Sequence, residues 1–428
     1  MKKMSTETAC VHGTYKAKSG EPQHLPISQN TTYRYYNAKD VAELFDLESG
    51  GFMYTRLGNP TLGALEEKMA LLEGGTAGVS ASSGQSATLM TMLNICKAGD
   101  HILSSASIYG GTYNLLGVTM KKMGIDVTFI DQNLSLEEIL QYQKPNTKVL
   151  FAETLANPAL TVLDFEKFSA AAKAMGVPLI VDNTLATPAL CRPIEHGADI
   201  VIQSTTKYAD GHGSCVGGMV VEAGRFDWSA GNKYPDMTEP DPSYHGLRFY
   251  EKFGSVAFTL KLRAQMLRDM GATMAPMNAY LTHQGLQTLH LRMERHSQNA
   301  LALARFLKNH EMVDWVVYPG LEGDANYDLA TRYLPKGSSG VLSFGVKGGR
   351  AAGEQFLENL ELSSIVVHVG DVRTSVLHPA STTHRQLTQE EQLKGGIKPE
   401  LIRVSVGIEG IEDIIADFDQ ALQKLKSL

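Results

Sequence analysis

Cysteine, long apolar runs and basic tracts are all scarce in this chain, and each scarcity excludes something. Four cysteines occur in 428 residues, at Cys10, Cys96, Cys191 and Cys215. They lie far apart and form no Cys-x-x-Cys, so a disulfide framework and a thiolate zinc site both lack their spacing, and plain core or loop thiols are expected. The thirteen histidines contain no His-Glu-x-x-His pattern. His283, His290 and His296 fall in one helical pattern, at a spacing that builds no compact metal site, so no metal is expected. No apolar run approaches the roughly 18 residues of a membrane span. The opening Met1-Lys2-Lys3-Met4-Ser5-Thr6-Glu7 has no apolar stretch behind it, so no secretory signal is expected and the location expected is cytoplasmic. A net charge of −7 without a dense Lys/Arg tract argues against nucleic acid or an acidic membrane surface as a partner.

What is present suits a globular protein of more than one domain. The hydrophobic fraction is 43% and the charged fraction 20%, both ordinary, and the length is too great for one small core. Residues 1–61, with Pro22, Pro26 and Pro60 and little apolar periodicity, predict an extended arm. Across 62–275, helix and strand patterns alternate, which predicts a mostly parallel sheet with helices on both faces. Leu62, Leu65, Met69 and Leu72 recur at helical spacing, and Gly74-Gly75 stops that helix. Strands are expected at His101–Ser105, Asp126–Asp131, Val149–Glu153, Leu179–Asp182 and Asp199–Gln203. Residues 276–428 mix long helical patterns, at 277–309 and 410–426, with strands at Val341–Val346, Ser364–Val369 and Leu401–Val406, and predict a smaller α+β domain.

Two of the apolar strands end in chemistry. Val177-Pro178-Leu179-Ile180-Val181 runs into Asp182, and Asp199-Ile200-Val201-Ile202-Gln203 leads through Ser204-Thr205-Thr206 to Lys207. Open α/β sheets bind ligands just beyond the carboxyl ends of their strands. A surface lysine and a capping aspartate would explain either residue alone. The two together suit pyridoxal phosphate, whose aldehyde links to a lysine amine and whose ring nitrogen is kept protonated by a carboxylate. Ser204 and Thr206 are then hydroxyl donors to the phosphate. Ser82-Ser83-Gly84-Gln85 precedes a helical run through Met90 and Leu93; Gly84 lets the backbone approach an anion and the free N–H groups of the helix start bind it. Arg403 sits inside the apolar strand Leu401-Ile402-Arg403-Val404-Ser405-Val406, where a charge is costly unless paired. A structural ion pair or an anionic substrate would satisfy it.

The ordered set Tyr54-Thr55-Arg56 with Asn59-Pro60-Thr61, Ser82-Ser83-Gly84-Gln85, Tyr109-Gly110-Gly111-Thr112, Glu153-Thr154 with Asn157-Pro158, Asp182-Asn183-Thr184 and Ser204-Thr205-Thr206-Lys207 resembles the Cys/Met-metabolism (trans-sulfuration) family of pyridoxal phosphate enzymes, fold type I. The resemblance runs from about Thr14 to the C-terminus and is closest to the O-acetylhomoserine sulfhydrylase (homocysteine synthase) branch. It implies that Ser83, Gly84, Gln85, Ser204 and Thr206 hold the phosphate, that Tyr109 lies on the cofactor ring and assists proton transfer, and that Asn157 donates to the ring's phenolic oxygen. Asp182 keeps the ring nitrogen protonated, and Thr184 is a further cofactor-binding residue. Glu153 is expected to support its loop. Arg403 takes the substrate carboxylate. Tyr54 and Arg56 are implied to reach the phosphate of a neighbouring subunit, so that each site needs two chains of a homotetramer built as a dimer of dimers. Arginine's planar fork suits that task.

The implied reaction is γ-replacement on O-acetyl-L-homoserine: Lys207 takes the α-proton, acetate leaves from the γ-carbon, and sulfide or a small thiol adds there, giving homocysteine or methionine. The segment from Trp228 to Met274, with Glu239-Pro240-Asp241-Pro242-Ser243-Tyr244-His245-Gly246, resembles the sulfhydrylase branch. Three positions depart from its pattern: His368 stands where asparagine is usual near the substrate carboxylate, Ala156 replaces a glycine, and Leu185 a phenylalanine. Elimination, as in a methionine or cystathionine γ-lyase, shares the first steps and is the alternative; a non-catalytic cofactor-binding protein is the third reading.

Overall fold

A computed structural model of the chain describes residues 4–383, 385–386, 388–394 and 396–427. Its larger sheet has seven strands: β1 (Ala77–Ala81), β2 (His101–Ser105), β3 (Asp126–Ile130), β4 (Thr147–Glu153), β5 (Leu179–Asp182), β6 (Ile200–Gln203) and β7 (Gly218–Glu222), in spatial order β1-β7-β6-β5-β4-β2-β3. All neighbours pair parallel except β7, which runs antiparallel to both β1 and β6. The alternation of side chains along the central strands divides two cores. Leu150, Ala152, Leu179, Val181 and Val201 pack on one face, and Val149, Phe151, Ile180, Ile200 and Ile202 on the other. A strand buried on both faces needs such a continuous apolar run.

Helix ends follow the local chemistry. Pro60–Glu73 begins with the Asn59 side chain accepting the Thr61 N–H and stops at Gly74, whose φ of 81° is left-handed. Gly84–Ile95 begins at Ser83, whose hydroxyl and backbone exchange hydrogen bonds with Ser86 in a capping box.

The second sheet comprises β8 (Val313–Val317), β9 (Val341–Val346), β10 (Ser364–Ile365), β11 (Ser375–Leu377) and β12 (Leu401–Ser405), in order β10-β11-β12-β9-β8. Leu342, Phe344, Ile402 and Val404 form its core with the helices Leu289–Lys308 and Ile411–Lys424. Arg403 alternates with that core, so it leaves the opposite face. The architecture is that of a fold type I enzyme: a mostly parallel sheet between helices with a smaller sheet unit behind it.

Several elements differ from the sequence expectation. The strand expected over Ser364–Val369 ends at Ile365, because the chain turns through Gly370 (φ 84°) and its N–H goes to the Ser405 hydroxyl at 2.9 Å. The helix expected over 277–309 is two, Pro276–Gln287 and Leu289–Lys308. Arg292 Nη2 donates to the Gly285 carbonyl at 2.7 Å, taking the acceptor that would continue the ladder. Strands β1, β7, β8 and β11 were not anticipated, and the arm carries short helices at Thr6–His12 and Ala38–Phe45. All four cysteines are free and buried. Among the described residues no helix is long and apolar enough to cross a membrane.

Candidate active site

The carboxyl ends of β4, β5 and β6 open on a cavity of ≈ 230 Å³, closed on the far side by β12 and the loop before β11. Asp182 and Lys207 both line it. The Asp182 Oδ1 accepts the Thr184 N–H at 2.9 Å and the Thr184 hydroxyl at 2.5 Å. Thr184 Oγ1 in turn accepts the Ser204 N–H at 2.8 Å. Thr184 therefore ties the aspartate loop to the segment that carries Lys207. Burial pushes the Asp182 carboxyl up, against the two Thr184 bonds. Lys207 follows β6 by one turn. Burial, and then the charge of Arg403, lower its amine to about 8.

Ser83, Gly84 and Gln85 lie together at the start of the helix Gly84–Ile95 and line the cavity. The first N–H groups of a helix have no intrahelical acceptor, and its dipole favours an anion there. Gly84 is required by close packing: a Cβ there would stand 2.6 Å from Ser204 Cβ. Ser204 joins the same rim. Thr206 does too, although its hydroxyl already donates to the Gly217 carbonyl at 3.1 Å and accepts the Gly217 N–H at 3.0 Å.

Tyr109 projects from the start of Gly110–Asn114 and is about half exposed. A Cβ on Gly111 would lie 2.4 Å from its ring, so glycine is what lets that ring lie back along the helix start. Asn157 lines the cavity, and its Oδ1 is buried without a protein partner. Glu153, expected only to support its loop, also lines the cavity and takes the Tyr109 N–H. The signal for it was present, since it ends an apolar strand as Asp182 does.

Arg403 and His368 form the opposite wall. Arg403 Nη2 donates to the His368 carbonyl at 3.4 Å, and it pairs with no carboxylate among the described residues. Burial lowers it from the ordinary arginine range. His368 Nδ1 lies 3.4 Å from Lys207 Nζ, while its Nε2 is buried without a partner among the described residues. Burial and the Lys207 charge lower His368, which keeps its imidazole neutral at neutral pH. Tyr54 and Arg56 are not brought to this cavity. Both are exposed; Arg56 lies 5.4 Å from the Tyr54 ring centre and donates to the Arg268 carbonyl.

The donor set fits pyridoxal phosphate. An anion-binding helix start, a near-neutral lysine, a half-buried carboxylate, an amide with an unsatisfied oxygen and a half-buried arginine that pairs with no carboxylate among the described residues face one small space. Each has unmet capacity that the phosphate, aldehyde, ring nitrogen, phenolic oxygen or an amino-acid carboxylate would satisfy.

The comparisons agree. An O-acetyl-L-homoserine sulfhydrylase from Leptospira meyeri is 45% identical over 429 residues, covering 98% of this chain and 97% of its own. A homocysteine synthase from Schizosaccharomyces pombe is 46% identical, covering 93% of each chain. The crystal structure of a Campylobacter jejuni protein carrying N'-pyridoxyl-lysine-5'-monophosphate matches with a TM-score of 0.95 at 37% identity, over 98% of this chain and 100% of that one. The profile of the Cys/Met metabolism PLP-dependent enzymes matches residues 7–423, and the chain belongs to that family.

Proposed function

We propose that this enzyme catalyses γ-replacement on O-acetyl-L-homoserine, with sulfide or a small thiol displacing acetate to give homocysteine or methionine. The observation that carries the reading is the convergence of Lys207, Asp182 and Arg403 on one cavity, in a chain resembling sulfhydrylases over nearly its whole length.

Bound pyridoxal phosphate supplies an electron sink for charge developing at the substrate's α-carbon. Asp182, fixed by Thr184, would take the ring nitrogen and favour its protonated form. Ser83, Gly84, Gln85, Ser204 and Thr206 would hold the phosphate, Tyr109 would cover the ring, and Asn157 would serve its phenolic oxygen; all line the one cavity. Lys207 takes the proton from the α-carbon, moves one at the β-carbon as acetate leaves, and returns them after the thiol has added. A lysine near 8 is mostly protonated at neutral pH but keeps a usable free-amine fraction. Arg403 binds the substrate carboxylate, with His368 beside it. Tyr54 and Arg56 of a neighbouring copy complete the phosphate site, in a cytoplasmic homotetramer assembled as a dimer of dimers. The units are an arm over 1–61, a cofactor-binding unit over 62–275 and a C-terminal unit over 276–428.

The test is purified protein with O-acetylhomoserine and sulfide, scored for homocysteine and for α-keto acid. Homocysteine as the main product is expected, with little α-ketobutyrate from methionine alone. Fast keto-acid release from methionine, indifferent to sulfide, would move the protein to the γ-lyase reading.

A further inference from the structure

Glu153 lines the cavity yet has no part in the reaction as described. It closes β4 as Asp182 closes β5, and the two are register partners on adjacent parallel strands. Their side chains therefore leave the same face of the sheet side by side. Glu153 is only 5% exposed. Its Oε1 accepts the Tyr109 N–H at 2.7 Å, and the Asn157 N–H also faces the carboxyl.

Those contacts join the segment after β2 to the ends of β4 and β5, which the Thr154 N–H already links through the Asp182 carbonyl at 2.9 Å. Tyr109 belongs to the loop after β2, Asn157 to the loop after β4, and Asp182 to the end of β5. The short helix Gly110–Asn114 starts at Tyr109 without a side-chain cap, so the Glu153 bond is what fastens its first residue to the sheet. A carboxyl oxygen buried among backbone N–H groups is a tether whether or not it is charged, because its loss leaves a donor there unsatisfied.

We propose that Glu153 is a positioning residue, holding Tyr109 and Asn157 on the sheet beside Asp182 so that a bound cofactor ring meets all three in one fixed arrangement. The inference rests on the cavity being a pyridoxal phosphate site. The charged group beside Glu153 is Asp182 from β5, and Tyr109, Lys207, Arg403 and His368 line the same cavity. Burial and then the Asp182 charge push the Glu153 carboxyl up, against its N–H donors. Charge and tethering are therefore separable: an amide at this position accepts the same N–H and carries no charge.

The test compares the full-length wild-type chain with Glu153→Ala and Glu153→Gln. Added pyridoxal phosphate is titrated by visible absorbance, the circular dichroism of the bound cofactor reports its surroundings, and kcat and KM are measured separately. Glu153→Ala should weaken cofactor binding about tenfold, change the dichroic band, and lower kcat more than it alters KM. Glu153→Gln should recover affinity to within about threefold and restore the band. A Glu153→Ala protein with wild-type affinity and band would overturn the proposal, as would a Glu153→Gln protein no better than Glu153→Ala. Should Glu153→Ala fail to fold, Glu153→Asp replaces it; its shorter carboxyl withdraws from Tyr109 and should behave as the alanine does. Wild-type protein that binds no cofactor would instead sink the reading of the site itself.

Discussion

Asp182 and Arg56 are both proposed to serve the cofactor, yet the chain holds them in opposite ways. Asp182 is the last residue of a central strand, with two hydrogen bonds from Thr184 and a register partner on β4. Arg56 lies on an exposed loop, its guanidinium resting on a backbone carbonyl and near one tyrosine ring. Sheet pairing places the first group within a single chain. The second has no such frame, and its proposed target belongs to another copy. Chemistry built on strand ends is preorganised by the fold, whereas a contribution from the arm depends on assembly.

Breaking the strand-end half should have the larger effect. Lys207→Ala should reduce turnover by at least about 10³-fold, within the range that a positioned proton-transfer group contributes. Pyridoxal phosphate should still bind, reversibly and without its covalent link, through the helix start at Gly84 and Gln85; steady-state rates and dialysis would show both. Full activity in that variant would remove Lys207 from the mechanism. Arg403→Ala comes next. Truncating one partner of a buried charge pair costs about 2–5 kcal/mol, so kcat/KM for O-acetylhomoserine should fall about 10²-fold or more while cofactor absorbance stays unchanged. Arg403→Lys should fall between, because it keeps the charge and loses the fork. Equal loss of bound cofactor would mean that Arg403 serves the cofactor and not the substrate.

The arm offers the sharper contrast. Arg56→Ala should weaken cofactor retention about tenfold, as expected for one hydrogen-bonded charge, without shifting the melting temperature of the cofactor-free chain. Mixed with Lys207→Ala subunits it should regain activity, since a mixed dimer contains one site with both residues intact. Demonstrated subunit exchange with no recovery would place every site within one chain.

Legibility follows the same division. β2, β5 and β9 matched their expected bounds because an apolar run between polar ends marks a central strand. β1 and β7 did not announce themselves: Ala77-Gly78-Val79-Ser80-Ala81 is made of small residues with weak strand preference, and its partner Gly218–Glu222 is held by pairing that the sequence does not display. The break at Thr288 depends on Arg292 reaching the Gly285 carbonyl, a side-chain choice invisible to helical periodicity. At the site, Asp182 and Arg403 stand out in the sequence because a charge ending or interrupting an apolar strand demands a partner, and Lys207 because it follows such a strand by one turn. The double role of Thr184 and the reach of Glu153 to Tyr109 do not, since each depends on which loops the sheet brings together.

The smallest expected effect is at His368, and it tests how finely the cavity wall tunes the strand-end lysine. The free Lys207 amine is the active form, and with its titration near 8 that fraction falls about tenfold for each pH unit below the titration point. Activity should therefore rise with pH and level off above about 8. Burial and the Lys207 charge lower the His368 imidazole, so its own ionisation lies on the acid side of the Lys207 limb. Its Nδ1 near Lys207 Nζ and its carbonyl on Arg403 place it between proton transfer and carboxylate binding. His368→Asn retains a polar side chain and the same backbone carbonyl. It should leave kcat within about twofold and shift KM for O-acetylhomoserine about three- to tenfold, the pattern of a residue that binds ground and transition states alike. A collapse of kcat with KM unchanged, or a displaced pH limb, would instead make His368 a partner of Lys207 in moving the proton.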